Sequence, residues 1–364
     1  MRDVRELMRP SAAALEPYDP KFTPVSINLS ANENSYGMPV YVYDKVMRAL
    51  GDVKANRYPD PLATRLRGRL ASLYGLESGQ VIVGNGGDEL IFNLFLAFGG
   101  GGAKVVDCPP TFSIYRLYAE LCECTVANVP RDPETFAVDE DALLAEAADA
   151  RITIVTSPNN PTGTLTPLAF IEELCAATDG LVLADEAYME FAGAPSAPSA
   201  ATLLDRCPNL VVLRTLSKAF ALAGGRIGYV LASPEIVSAL AAVRQPYSVN
   251  SFSQAVAETV VREGARFAPT IAEICENRGI LASELAKLDG LTVWPSSANF
   301  LLVRVPHAHR VWELLRDEHS ILVRDFSATP GLADCLRITV GRPEECTAVV
   351  EAFIDILSLK EDEL

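Results

Sequence analysis

The stretch Leu210-Val-Val-Leu-Arg-Thr-Leu-Ser-Lys-Ala-Phe-Ala-Leu-Ala-Gly-Gly-Arg226 decides how the chain is read. Its first four residues form a short, continuously apolar run, the pattern of a strand buried on both faces. Lys218 then leaves the strand end in a loop, with Ser217 beside it and Arg226 eight residues on. Ligands of parallel α/β sheets gather at the carboxyl ends of strands, so this loop suits an aldehyde that carries a phosphate. The amine fits a Schiff base, Arg226 a charge-assisted fork to the anion, and Ser217 a neutral donor. Taken alone, the same residues also read as a solvated surface loop.

Working outward, similar runs occur at Val81-Ile-Val83, Lys104-Val-Val-Asp107, Thr125-Val-Ala-Asn-Val129, Ile152-Thr-Ile-Val-Thr156, Leu181-Val-Leu-Ala184 and Ile227-Gly-Tyr-Val-Leu231. Helical stretches near 88–98, 112–122, 139–149 and 167–177 separate them, and leucines at 62, 66, 70 and 73 mark another helix. The alternation predicts an α/β fold with a mostly parallel sheet sandwiched by helices. A long helical region over about 250–287 leads to strands near 291–294, 299–304, 321–324 and 335–340, with helices near 308–318 and 343–358. These form a smaller α+β C-terminal domain. Residues 1–45 hold five prolines and one extended run, Val25-Ser-Ile-Asn-Leu29. We expect an irregular arm over 1–45 that packs on the small domain or a partner subunit, a large domain over 46–265 and a small one over 266–364.

Hydrophobic residues make up 49% of the 364 and charged residues 21%, the balance of a globular enzyme. The net charge of −16, from 47 acids against 31 bases, argues against a nucleic-acid partner. No leader-like apolar stretch opens the chain and no segment reaches membrane-span length, so the expected location is the cytoplasm. The eight cysteines are scattered through mostly apolar runs and read as reduced core thiols. His307 and His309 lack ligand partners in sequence, and no metal site is expected.

Three more strand ends carry polar sets. Gly84-Asn-Gly-Gly-Asp-Glu89 precedes an apolar helix, and the N–H groups of Gly87 and Asp88 there suit an anion. It lacks the third glycine of a dinucleotide fingerprint. Thr156-Ser-Pro-Asn-Asn-Pro-Thr-Gly163 follows the next end, where turn chemistry explains most of the composition. Asp185-Glu-Ala-Tyr188 follows another. An aspartate ending a buried strand needs a cation, and a protonated pyridine nitrogen would serve; Tyr188 could then donate to a phenolate oxygen. Four such ends matching one ligand point to a common site.

As a set, Asn159-Asn-Pro-Thr-Gly163, Asp185-Glu-Ala-Tyr188 and Ser217-Lys218 with Arg226 resemble the fold-type I, pyridoxal-phosphate-dependent aminotransferases of class I/II, over about residues 25 to 345. The resemblance implies that Lys218 holds pyridoxal 5'-phosphate covalently and shuttles the substrate proton. It implies that Asp185 pairs with the pyridine nitrogen, that Asn160 and Tyr188 bind the ring hydroxyl oxygen, and that Phe112 stacks on the ring. Gly87, Asp88, Thr215, Ser217 and Arg226 would hold the phosphate.

Smaller motifs are similar to those of the histidinol-phosphate aminotransferases within that family. They are Leu29-Ser-Ala-Asn-Glu-Asn34, Arg57-Tyr-Pro-Asp60, Gly84-Asn-Gly-Gly-Asp-Glu89, Ser297-Ala-Asn-Phe300, Val323-Arg-Asp-Phe326 and Leu336-Arg-Ile-Thr339. That likeness implies a homodimer in which Tyr58 reaches the neighbouring cofactor phosphate, with Tyr18, Asn34, Arg324 and Arg337 lining the substrate end. It implies transfer of an amino group between histidinol phosphate and 2-oxoglutarate, giving imidazole-acetol phosphate and glutamate. Glu33-Asn-Ser-Tyr-Gly-Met38 departs from the more usual proline-rich version of its loop. An aromatic amino-acid aminotransferase and a threonine-phosphate decarboxylase share the frame and stay open as alternatives. A non-catalytic regulator would need a DNA-binding extension that the 1–45 arm does not supply.

Overall fold

The computed structural model describes residues 3–13, 23–193 and 198–359. Its main sheet has seven strands: β2 (Val81–Asn85), β3 (Lys104–Asp107), β4 (Thr125–Asn128), β5 (Ile152–Thr156), β6 (Leu181–Asp185), β7 (Leu210–Thr215) and β8 (Ile227–Ala232), while β1 (Ile27–Asn28) lies apart. The spatial order is β2-β8-β7-β6-β5-β3-β4. All pairs are parallel except those of β8, which runs against both β7 and β2. Every residue of β5, β7 and β8 is buried, as continuous apolar runs require.

Side chains alternate between two covered faces. Val211, Leu213, Leu183 and Ile154 face Leu90, Leu94, Tyr115 and Leu240, from helices Gly87–Phe98, Ile114–Leu121 and Pro234–Val243. Leu210, Val212, Val182 and Val155 face the other way, in one core with Leu66, Leu143, Leu174 and Val260 from helices Thr64–Tyr74, Glu140–Ala147, Leu168–Ala177 and Ser251–Arg262. The result is the three-layer sandwich expected from the sequence.

A second unit holds the antiparallel sheet β12-β13-β10-β9, made of β9 (Thr292–Val293), β10 (Phe300–Arg304), β12 (Arg324–Asp325) and β13 (Cys335–Thr339). Helices Ala268–Leu285, Ala308–Asp317 and Pro343–Leu357 bury Leu281, Val311, Leu315 and Phe353 in one core with Phe300, Leu336 and Ile338. The N-terminal segment joins this unit. β1 pairs in parallel with β11 (Ile321–Leu322), Leu29 enters the same core, and its carbonyl accepts the Thr339 N–H at 3.0 Å.

Three features differ from the sequence reading. A helix, Val40–Gly51, begins inside the stretch read as irregular; Val40-Tyr-Val-Tyr43 is β-branched and aromatic, and only Val42 and Val46, four apart, are buried. The long helical region is two helices, Ser251–Arg262 and Ala268–Leu285, joined by a 3₁₀ turn at Gly264–Phe267. The helix Pro234–Val243 adds an element that periodicity had not marked, with proline in its first turn.

Gly228 on β8 fixes how closely the start of the helix Gly87–Phe98 approaches the sheet. A methyl group there would lie 2.5 Å from the Gly87 nitrogen and 2.6 Å from the Gly86 carbonyl carbon. Gly228→Ala is therefore expected to lower stability by about 1–3 kcal/mol in urea unfolding, with the slope unchanged.

Candidate active site

Because β8 runs against its neighbours, its first residue stands at the same sheet edge as the last residues of β2, β5, β6 and β7. The register shows this: Thr156 pairs with Asp185, Asp185 with Leu213, and Thr215 and Gly84 both with Gly228. Gly86–Asp88, Ser157–Asn160, Asp185–Tyr188, Thr215–Lys218 and Arg226 thus converge from five segments.

Lys218 is half-buried. Its Nζ donates to the Ala31 carbonyl at 2.8 Å and lies 5.9 Å from the Tyr188 ring centroid. Loss of hydration brings its pKa down to about 8; the positive charges of Arg337 and Arg226 act in the same direction, and Glu33 and Asp88 oppose them. Asp185 is buried, and its carboxylate accepts the Tyr115 hydroxyl at 2.6 Å and the Ala187 N–H at 3.0 Å. Among the described residues no cation forms an ion pair with it, and burial pushes its pKa up to about 6.

Tyr188, also buried, receives the Asn32 amide at 2.9 Å and meets Phe300 edge-on at 5.0 Å. Asn160 accepts Nη1 of Arg337 at 2.6 Å. Its neighbour Asn159 ties the loop to the Pro110 carbonyl, Thr111 and Thr162. Phe112 lies half-buried, 5.5 Å from Tyr115.

On the other side, Gly86 takes a φ of +90°, and the helix N-terminus at Gly87 and Asp88 follows directly. The Arg226 guanidinium lies against Gly86, where an added Cβ would meet Nη2 at 2.6 Å, and is 3.3 Å from the Asp88 carboxylate. Thr215 and Ser217 are buried; the Ser217 N–H reaches the Thr215 hydroxyl oxygen at 3.0 Å, and the Thr215 hydroxyl reaches the Ser217 oxygen at 2.9 Å. Free helix N–H groups, two hydroxyls and a guanidinium form an anion cradle.

The second unit adds two arginines. Arg324 and Arg337 stand directly opposite each other on β12 and β13. Arg337 is buried, bonds Asn160 and the Ser30 carbonyl, and lies 5.5 Å from the Phe300 ring. Arg324 is half-buried, and its side chain makes no hydrogen bond or ion pair among the described residues. Asn34 donates to the Ala219 carbonyl at 3.2 Å, next to Lys218. Tyr58 makes none of these contacts. It is 82% exposed, stacks on Tyr247 at 4.7 Å and lines a surface hollow of about 490 Å³ with Asn56, Arg57, Asn250 and Phe252. Tyr18 lies outside the described residues.

Sequence reasoning missed Asn32, which sits inside the quoted Leu29-Ser-Ala-Asn-Glu-Asn34, and Tyr115, which lies in the helical stretch near 112–122. Tyr115 carried one signal: it follows Phe112 by three residues, the spacing of one helix face. Among the described residues no cluster of metal-ligating side chains occurs.

The sequence profile described as "Aminotransferase class I and II" matches residues 24–353. Histidinol-phosphate aminotransferase 1 of Carboxydothermus hydrogenoformans is 40% identical over 346 residues, covering 95% of this chain and 97% of the relative. The histidinol-phosphate aminotransferase of Thermococcus kodakarensis is 40% identical over 338 residues, covering 93% and 95%. The crystal structure of histidinol-phosphate aminotransferase from Sinorhizobium meliloti in complex with pyridoxal-5'-phosphate superposes with a TM-score of 0.87 at 25% identity, covering 96% of this chain and 97% of that one.

With bound small molecules removed, the rate at which Lys218 is acetylated, followed by mass spectrometry, is expected to rise with a midpoint near pH 8 rather than near the ordinary 10.5. Arg337→Met removes a charge that disfavours the protonated amine, so the midpoint should move upward. An unmoved midpoint would exclude Arg337 as a cause.

Proposed function

The chain belongs to the class I and II aminotransferases, and on that premise we propose that it moves an amino group between histidinol phosphate and 2-oxoglutarate in histidine biosynthesis, with pyridoxal 5'-phosphate as cofactor. The observation that carries the reading is a half-buried lysine with a lowered pKa, rising from the same strand-end edge as a buried carboxylate that has no ion pair among the described residues, with the charge of Arg337 acting on the lysine. Asp185 suits a positively charged ring nitrogen. The cradle of Gly87, Asp88, Thr215, Ser217 and Arg226 suits a phosphate, and Phe112 suits one face of the ring.

Bound there, the cofactor supplies a ring that accepts the electron pair left when the substrate loses its α-proton. Lys218 Nζ takes that proton. With a pKa near 8 its neutral form is present at working pH, which a free lysine near 10.5 would not offer. With the cofactor held there, the same nitrogen would be placed to return the proton. Tyr188, whose oxygen receives the Asn32 amide, has its own proton left to donate to the ring oxygen, and Asn160 adds a second contact there.

Arg324 and Arg337 hold the substrate's phosphate in one half-reaction and the distal carboxylate of glutamate in the other. Like charges directly opposite on paired strands are unfavourable, and an anion between them relieves that cost. Asn34, bonded to the Ala219 carbonyl next to Lys218, lines the substrate end. The enzyme works as a homodimer, Tyr58 of each subunit reaching its neighbour's cofactor phosphate; its exposed ring in a single subunit supports this. It acts in the cytoplasm, in keeping with eight free cysteines and the absence, among the described residues, of a helix long and apolar enough to cross a membrane.

Two measurements test the proposal. Purified enzyme with 2-oxoglutarate should use histidinol phosphate, with glutamate and imidazole-acetol phosphate as products and no carbon dioxide. Ready use of phenylalanine but not histidinol phosphate would overturn the donor, and carbon dioxide from threonine phosphate would indicate the decarboxylase. Lys218→Ala should still bind cofactor, leave none attached to the chain after borohydride, and lose at least about 10³-fold in turnover.

A further inference from the structure

Tyr115 enters the core from the helix Ile114–Leu121 and is among the largest fully buried side chains of the molecule. Its hydroxyl is 2.6 Å from Oδ2 of Asp185 and accepts the Thr156 hydroxyl at 3.2 Å. A phenol carries one proton, and an ionised carboxylate only accepts. With Thr156 donating to the phenol oxygen, the phenol proton is committed to Asp185.

The remaining oxygen, Oδ1, takes the Ala187 N–H at 3.0 Å, so two donors fix the plane of the carboxylate. Burial pushes Asp185 toward its neutral form, and the charges of Asp88 and Glu186 push the same way; the Tyr115 and Ala187 hydrogen bonds oppose them. Burial and the charge of Asp185 hold Tyr115's own proton far above its ordinary range, so the phenol remains a donor throughout the working pH. A protonated Asp185 would no longer balance a positive charge.

We propose that Tyr115 is a positioning residue for the cofactor: its single hydrogen bond holds the Asp185 carboxylate as the oriented counter-ion of the pyridine nitrogen. The inference rests on the assignment of Asp185 to that nitrogen. It goes beyond it by giving the ring nitrogen's partner a dedicated donor.

The test uses two ligands, pyridoxal phosphate and its analogue with C–H in place of the ring nitrogen. Each is titrated into the cofactor-stripped full chain, with dissociation constants read from protein fluorescence. Tyr115→Phe is expected to weaken pyridoxal phosphate about 10-fold, as for loss of a hydrogen bond to a charged group, and the analogue by less than about 2-fold. In an Asp185→Asn background Tyr115→Phe should add no selective loss. Equal loss for both ligands would mark a purely structural tyrosine and overturn the inference, as would no loss for either. If the unmodified protein binds both ligands equally, the assignment of Asp185 falls and the inference with it. If the unmodified protein discriminates and Tyr115→Phe discriminates just as well, the inference alone falls. Should Tyr115→Phe not fold, 3-fluorotyrosine at position 115 keeps the hydroxyl and makes it a stronger donor. The preference for the nitrogen-bearing ligand should then rise about 2-fold, and an unchanged preference overturns the inference.

Discussion

Beneath the site, Arg214 and Glu186 form an ion pair at 2.6 Å with almost no exposure, and the geometry above depends on it. Arg214 belongs to β7 and Glu186 directly follows β6, so the pair clamps the two adjacent strand ends that carry Lys218 and Asp185. The second arm of Arg214 holds Glu190 at 2.7 Å, and Glu186 also accepts from the Ser199 hydroxyl and the Ala200 N–H. Removing one partner of such a pair costs about 3–5 kcal/mol, because the other charge is left buried. Strand alternation gives the clamp its direction. Glu186 and Arg214 continue the face of Ala184 and Val212, while Asp185 continues the face of Leu183, where Tyr115 lies. Anchoring one carboxylate on one face therefore presents its neighbour on the other.

The remaining walls come from outside the main sheet. Asn32, at a φ of +55°, ties three parts of the chain together. Its side chain reaches Tyr188, its N–H reaches the Thr339 hydroxyl at 3.0 Å, and its carbonyl accepts the Asn299 amide at 3.1 Å. Ala31 and Ser30 beside it accept from Lys218 and Arg337. The N-terminal segment is thus a strap between the strand-end edge and the smaller sheet, pairing with β11 at Ile27 and Asn28 and bonding beyond it through residues 30–32.

The layered fold and the convergence of polar strand ends were legible in the sequence because both-face burial writes a continuous apolar run and a buried strand end cannot carry idle polar groups. What stayed hidden depends on direction. Ile227-Gly-Tyr-Val-Leu231 reads the same for a parallel or an antiparallel strand, yet only the antiparallel β8 returns Arg226 to the edge where Lys218 emerges. Val40-Tyr-Val-Tyr43 has strand-like residue types, and packing against helix Ser251–Arg262 overrides them. Tyr115 and Asn32 were visible as letters, but where their polar atoms aim is set by contacts 70 and 156 residues away.

One physical cause, loss of hydration, moves Asp185 and Lys218 in opposite directions, to about 6 and about 8, and brings their titrations within reach of each other. The consequences for stability have fixed signs. Asp185 binds its proton more tightly folded than unfolded, so it costs stability as pH rises from 3.8 through about 6, and the cost persists above. Lys218 binds its proton less tightly folded, so it costs stability as pH falls from 10.5 through about 8, and that cost persists below. Between those limits the ligand-free protein bears both penalties at once. A cation placed beside Asp185 would relieve the first, and a covalent bond at the Lys218 amine would remove the second. Both penalties fall at the strand-end edge where the two side chains emerge.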